Sequence, residues 1–450
     1  VTIRNSFLAA ASIAAVSFSP VANGVGAQSA ADEARAITLE SAVEAAQRAL
    51  PAAVQARGSL RTAEAQRRSA IGAYIPSLNM NASTGRTAGA TYFQGNLVPL
   101  TGNPWSYSNG LSSNIELFDG GRRLYELRRT AAQIDVAEVG LTSARFDIAL
   151  QVKTLYYAVL AARESESAAR AQLEQAEAQL QASVARVSAG AATKSDSLRA
   201  VVQVGNARLA ILTAQNDLRV ANAALTRLVS SDATVTAEPS DTAALPDETA
   251  LPSLDDLERM AMRGPAVMTA DANLQAARAS RRAARTQYMP TVSMSFNYGL
   301  NEASRSFTGG NLLLFGERAP TRQTYNFNLQ FPLFNGFSRE AQQTTAAVAV
   351  DNAAAAARDA QLVARQNLTQ QLRALQTAAA RVQVQLATIE ASEEDLRVQQ
   401  QRYQLGASNA LDLLTSQTQL NAARIALIQA RLDARVAKAQ LEALIGQNLP

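Results

Sequence analysis

Few side chains in this sequence could do covalent or metal chemistry. It contains no cysteine and no histidine, which removes thiolate and imidazole catalysis and the usual zinc sites. Residues 188–195 faintly outline a phosphate loop ending in Lys194-Ser195. Thr193, however, stands where a glycine must precede the lysine, and Ser188 where the first glycine belongs. No other nucleotide, metal or nucleophile constellation is present, so the sequence predicts neither an enzyme nor a cofactor. What remains is a pair of acids. Asp196 and Asp412 lie the same distance beyond Gly190 and Gly406, where an acid suits the first turn of a helix.

The formal net charge of +4 is small for 450 residues, and the charges are interspersed along helical stretches. That is a solvated helix surface and not a nucleic-acid footprint. The absence of histidine and the presence of only six methionines argue against a dedicated copper or silver role.

The elements that would position these residues are written twice. Tyr74-Ile75-Pro76 reappears as Tyr288-Met289-Pro290, each with a proline upstream, Pro51 or Pro265. Leu117-Phe118-Asp119-Gly120 returns as Leu333-Phe334-Asn335-Gly336, and Arg186 to Gly190 returns as Arg402 to Gly406. Such units are far longer than the roughly 20–50 residues of solenoid repeats, so a duplicated domain is expected. Each copy reads as helix, strand, loop, strand, long helix, tight turn, long helix.

The strands show as alternation. Val292, Met294, Phe296 and Tyr298 share one face, then Tyr325, Phe327, Leu329, Phe331 and Leu333 share another. The first copy has Leu78, Met80 and Ala82, then Trp105, Tyr107, Leu111, Ile115 and Leu117. Strands of about 10–13 residues with aromatics toward their ends match outer-membrane barrels. Four of them cannot close a barrel, for which about eight is the usual minimum, so the barrel must be shared between chains.

The helices carry a heptad seam through Leu368, Leu375, Val382, Leu396 and Tyr403. The return helix repeats every seven at Leu413, Leu420, Leu427, Ala434 and Leu441. A second stripe at Leu411, Leu414, Ile425, Ile428 and Leu432 means a helix covered on two sides, as in a wall of helices. A helix from Asp119 to Ser188 would reach roughly 105 Å, and single helices over Thr38–Tyr74 and Thr193–Val229 roughly 55 Å each, so two short helices match one long one.

Residues 1–27 read as a secretory signal, with Arg4, an apolar Phe7–Phe18 run and a small-residue cleavage site at Val25-Gly26-Ala27. The first repeat then covers residues 28–229 and the second 253–450. Between them, residues 230–252 are acidic, lack lysine and arginine, and read as a solvated linker crossing the rod near mid-height. Thr87–Pro104 and Asn301–Gln323 read as polar loops at the strand end. The fold class is therefore an α+β membrane protein: a long α-helical coiled-coil barrel plus a β-barrel to which each chain gives four strands.

These residues, in this order and repeated twice, resemble the TolC-like outer-membrane efflux proteins across essentially the whole mature chain. The resemblance implies a homotrimer sharing one barrel in the outer membrane of a Gram-negative-type bacterium. It implies a helical tunnel hanging into the periplasm, closed at its tip. The partners it implies are outer-membrane lipid, a periplasmic adaptor at the tip turns, and through the adaptor an inner-membrane pump. Gly190, Ala191, Gly406 and Ala407 fall in those turns. In the family the closed tip is held by an acid after the first turn, a tyrosine before the second and an arginine after it. Asp196 and Tyr403 match the first two, while Ser408 stands at the arginine position. Asp412 matches one of the family's acidic constrictions, and Thr415 replaces the next acid. Asp196 also reads as a simple helix-start acid, and Tyr403 as the last knob of its seam.

The function implied is a passive exit duct for tripartite efflux or type I secretion, gated at the periplasmic tip. The rival is a structural trimeric coiled coil of the envelope without transport. That rival accounts for the heptads, but not for four alternating strands or the repetition.

Overall fold

A computed structural model describes residues 34–86, 88–99, 105–190, 192–239, 252–302 and 321–449. The expected signal segment, most of the second polar loop and most of the acidic linker lie outside the described residues. Two helices of 67 residues dominate: α3 (Arg122–Ser188) and α7 (Ser338–Gln404). Each turns back into a helix of 36 residues, α4 (Lys194–Val229) after α3 and α8 (Ala410–Ile445) after α7. At 1.5 Å per residue these span about 100 Å and about 54 Å. Glycine makes both turns possible, because Gly190 and Gly406 take the left-handed φ values of +74° and +73°. Among the described residues no helix is long and apolar enough to cross a membrane.

The short helices at the other end are broken, where the sequence suggested single rods. The first divides into α1 (Leu39–Ala49) and α2 (Pro51–Gly72), with Leu50 extended between them. The residue before a proline is pushed out of helical conformation, while the proline itself suits the first position of the next helix. The same happens at Pro265, which separates α5 (Leu254–Ala261) from α6 (Pro265–Ala284). Gly264, just before it, lies so close to α8 that a Cβ there would meet the Leu444 carbonyl oxygen at 2.2 Å.

At the far end of α2, α3, α6 and α7 lies an antiparallel sheet of β2 (Ser77–Arg86), β5 (Trp105–Phe118), β7 (Thr291–Glu302) and β8 (Thr321–Gln330), in that order. Among the described residues β2 pairs only with β5 and β8 only with β7, and every residue of β2 is exposed. Strand β8 stops at Gln330, short of the expected Leu333. Pro332 has no N–H to offer a ladder, and it occupies the place that Glu116 holds in β5. The first polar loop also departs from expectation. It contains a hairpin of β3 (Ala90–Phe93) and β4 (Asn96–Pro99), turned by Gln94 and Gly95, both at positive φ.

The helices form a wall one layer thick. Beside the sheet, neighbours run α2, α3, α6, α7, the same order as the strands they follow or precede. Toward the tip the order is α4, α3, α8, α7. The motif residues tie strand to helix identically on both sides: Arg123 lies 4.8 Å over the Tyr74 ring, and Arg339 lies 4.8 Å over the Tyr288 ring. Arg123 also bridges to Asp119 at 2.8 Å, with both side chains largely buried.

At mid-height the wall gains a second layer. Residues expected to form a solvated linker instead include β6 (Val235–Ala237), which pairs in parallel with β1 (Arg35–Ile37). Val235 and Ala237 pack with Ala42, Val152, Tyr156 and Leu225 in the largest apolar cluster. Burial won there because Val235 and Ala237 are apolar and join that cluster, and Thr236 between them is buried with them. Tyr156 is fully buried, donating its hydroxyl to the Ile37 carbonyl and accepting from the Glu238 amide, both at 3.1 Å. Replacing Tyr156 with Phe would remove this bridge, while the Glu238 amide keeps its own bond to the Ile37 carbonyl at 3.0 Å. The expected loss is about 1 kcal/mol, seen as a lower denaturation midpoint and faster amide exchange in β1 and β6.

Candidate functional site at the helical tip

The residues singled out by the sequence gather where the hairpins turn. The first turn is closed by a capping box. Thr193 accepts from the Asp196 amide at 3.3 Å, and the Asp196 carboxylate accepts from the Thr193 amide at 3.1 Å and hydroxyl at 2.8 Å. The helix-start reading of Asp196 is therefore realised in full. The Thr193 hydroxyl and amide hold its pKa below the ordinary carboxylate value.

The second turn is built in parallel. Asn409 caps α8 by accepting from the Asp412 amide at 2.9 Å. The Asp412 carboxylate lies 3.1 Å from the hydroxyl of Ser408, which is also 3.1 Å from Gln399 Oε1, so one proton serves two acceptors. Ser408 thus places a neutral donor beside Asp412. Thr415 turns its hydroxyl onto the Leu411 carbonyl and offers no charge. Asp412 itself is exposed, as are Gly190, Gly406 and Ala407. Ala191 lies outside the described residues. With Leu405 at 84% exposure, the second turn presents backbone and apolar surface outward.

Tyr403 is buried in a cluster with Leu396, Leu413 and Leu420, so it does serve as the last knob of its seam. Its hydroxyl has no hydrogen-bond partner among the described residues, and Asp196 does not reach it. Arg186 does reach Tyr403. Its guanidinium lies 4.4 Å over the ring, and Nη1 donates to the Tyr403 carbonyl at 2.6 Å. Sequence reasoning missed this contact. The one available signal was that an arginine precedes both turn glycines at the same spacing, as Arg186 and Arg402.

A second feature also passed unnoticed. Glu177 pairs with Arg208 at 3.1 Å across the first hairpin, and Glu393 with Arg424 at 3.0 Å across the second. All four residues keep one constant offset between the hairpins, as do both ends of α3 and α7 and both ends of α4 and α8. Such exposed pairs stabilise little individually, but they fix the register of each hairpin.

Comparison with known proteins assigns the architecture. Residues 43–231 and 257–447 each match the pattern of the outer membrane efflux protein family. Over 349 residues the chain is 27% identical to the pyoverdine export outer membrane protein OpmQ of Pseudomonas aeruginosa, covering 76% of this chain and 69% of that one. Over 315 residues it is 26% identical to Protein CyaE of Bordetella pertussis, covering 68% of this chain and just 64% of that one. The fold superposes on the crystal structure of CusC with a TM-score of 0.77 at 18% identity, over 94% of this chain and 96% of that one. With most of its length matched in two successive stretches, and a helical wall ending in an antiparallel sheet, the chain belongs to the outer membrane efflux protein family.

Proposed function

We propose that this chain is the passive exit duct of a tripartite efflux or type I secretion system, working as a homotrimer in the outer membrane of a Gram-negative-type bacterium. The observation that carries this reading is where the unsatisfied surface lies. The sheet has two open edges, β2 and β8. Below them the wall also ends at two edges, α2 and α4 on one side and α7 on the other. Those edge helices hold most of the large exposed apolar side chains of the helical part, among them Leu198, Val201, Leu209 and Leu212 on α4 and Leu362, Val363, Val384 and Val398 on α7. One copy's β8 and α7 meeting the next copy's β2 and α4 would satisfy both edges at once, and a ring of copies leaves no edge. Strands then cross the lipid, because a bilayer accepts only helices and closed barrels.

In this reading the two matched stretches mark duplicated units, proposed as residues 28–229 and 253–450, joined by the segment 230–252 after a signal over residues 1–27. The tip turns at Gly190, Ala191, Gly406 and Ala407 dock a periplasmic adaptor, and through it an inner-membrane pump that supplies the energy. The gate lies at the same end, with Asp196 and Tyr403 shaping the tip and Asp412 narrowing the lumen. Three copies of Asp412 around the axis gather three carboxylates, which attract cations. No nucleic acid takes part.

Planar-bilayer recordings of the purified protein test the reading. The wild type should form small cation-selective channels, and Asp412→Ala should move the reversal potential in a salt gradient toward zero. Chains that insert nothing and behave as water-soluble rods would instead leave a structural envelope coiled coil. Asp196 adds a pH signature. Because its folded pKa is lowered, the stabilisation from its cap is complete above the ordinary carboxylate range and is lost as pH falls through the lowered value. Protection of the first-turn amides of α4, taken relative to unstructured peptide at the same pH, should therefore hold at pH 5 and above and fall only in strong acid, while Asp196→Ala should lower it throughout.

A further inference from the structure

The two hairpins have separate interiors below mid-height. Ala176, Val204 and Ala207 pack between α3 and α4, while Leu396, Tyr403, Leu413 and Leu420 pack between α7 and α8. Neither cluster takes a residue from the other hairpin, and each hairpin closes its own ion pair. The polar ties that join them sit high. Lys153 bridges to the buried Glu442, and Glu164 faces Arg431 at 3.7 Å. Among the described residues, no hydrogen bond or ion pair then passes from α3 to the second hairpin until Arg186. That gap spans roughly 33 Å of helix.

At its end, Arg186 is placed to combine three attractions. Its guanidinium stacks on the face of Tyr403, which is only 8% exposed and hence shielded from water. Its Nη1 donates to the Tyr403 carbonyl in the last turn of α7, which also accepts from the Gly406 amide at 3.2 Å. Its charge also sits at the negative end of the α7 dipole. Against these stand two buried donors with no partner, Arg186 Nε and the Tyr403 hydroxyl, which lower the net strength of the contact. Two stiff hairpins tied high up, and joined near their free ends, among the described residues, by one polar contact of moderate strength, make a lever with a clasp.

We propose that Arg186 is this clasp, and that breaking its contact with Tyr403 releases the second hairpin from the first at the tip. For opening of the duct, this rests on the exit-duct reading above. The contact itself does not. In bilayer recordings, Arg186→Ala should raise the open fraction of the channel about tenfold, the weight of one shielded cation–π contact with one charge-assisted hydrogen bond. Arg186→Lys should leak nearly as much, because an ammonium cannot lie flat on the ring and donate to the carbonyl in one fork. Arg402→Ala should behave as wild type, since Arg402 reaches only the Ala407 carbonyl of its own turn, at 3.4 Å. A wild-type open fraction in Arg186→Ala would overturn the clasp. So would full rescue by Arg186→Lys, which would mean bare charge suffices, or an equal leak in Arg402→Ala. A readout independent of conduction is amide exchange in the purified protein. Arg186→Ala and Arg186→Lys should quicken exchange from Tyr403 to Ala407 with an unchanged melting temperature. Unchanged exchange there would overturn the clasp even if the protein never conducts, and faster exchange without conduction would uphold the clasp while removing the duct.

Discussion

A wall one helix thick has no interior, and this constraint shapes the rest of the molecule. Each long helix can bury only the narrow strips that face its two neighbours. On α8 the residues at Leu413, Leu420, Leu427, Ala434 and Leu441 are all buried, one per seven, while Leu411 and Ile425 of the second expected stripe stay exposed. Alanine fills many of the remaining contacts, as at Ala357, Ala364 and Ala378 on α7, because a small side chain lets helices approach closely over a long shared length. The same thinness leaves the wall with two raw edges. A compact domain would fold over to cover them. This one carries them along its full height, from open strand edges to exposed leucine and valine stripes.

Such a wall resists shear only where something lies across it. The second layer at mid-height does this. The three-residue strands β1 and β6 are too short to be stable alone, yet they pair across a gap of some two hundred residues because α3 supplies the floor. Tyr156 links that floor to both strands with one hydroxyl. The breaks at Leu50–Pro51 and Gly264–Pro265 fall in the same region. They let α1 and α5 leave the wall and lie against α3 and α7. The chain spends its helix-breaking residues where the wall needs bracing.

At the tip, local structure and long-range chemistry use different side chains. Asp196 is committed to its own helix start, with its carboxylate engaged by Thr193. Asp412 keeps an exposed carboxylate whose one side-chain partner among the described residues is the Ser408 hydroxyl. The tyrosine that precedes the second turn is held through its ring and carbonyl, not through its hydroxyl. The position of the missing arginine, Ser408, gives only part of the outcome. Another arginine, Arg186 from the other hairpin, brings a positive charge onto Tyr403.

The long helices, their seams, the two turns and the presence of four long strands were legible in the sequence. Each is local: alternation, heptad spacing and a glycine after the last helical residue depend on neighbours within a turn or two. Family membership was legible for the same reason, because short local motifs in a fixed order survive. Among the features that were not legible, three are the clearest. The β1–β6 pair is too short to show a pattern and pairs across nearly half the chain. The end of β8 depends on Pro332 standing where its counterpart has Glu116. The Arg186–Tyr403 contact joins residues far apart in sequence whose individual motifs look ordinary. Periodicity determined the rods and the turns, because helix and strand geometry act on adjacent residues. Only the tertiary structure decided which side chains meet across the rods, because that depends on the order in which the helices stand in the wall.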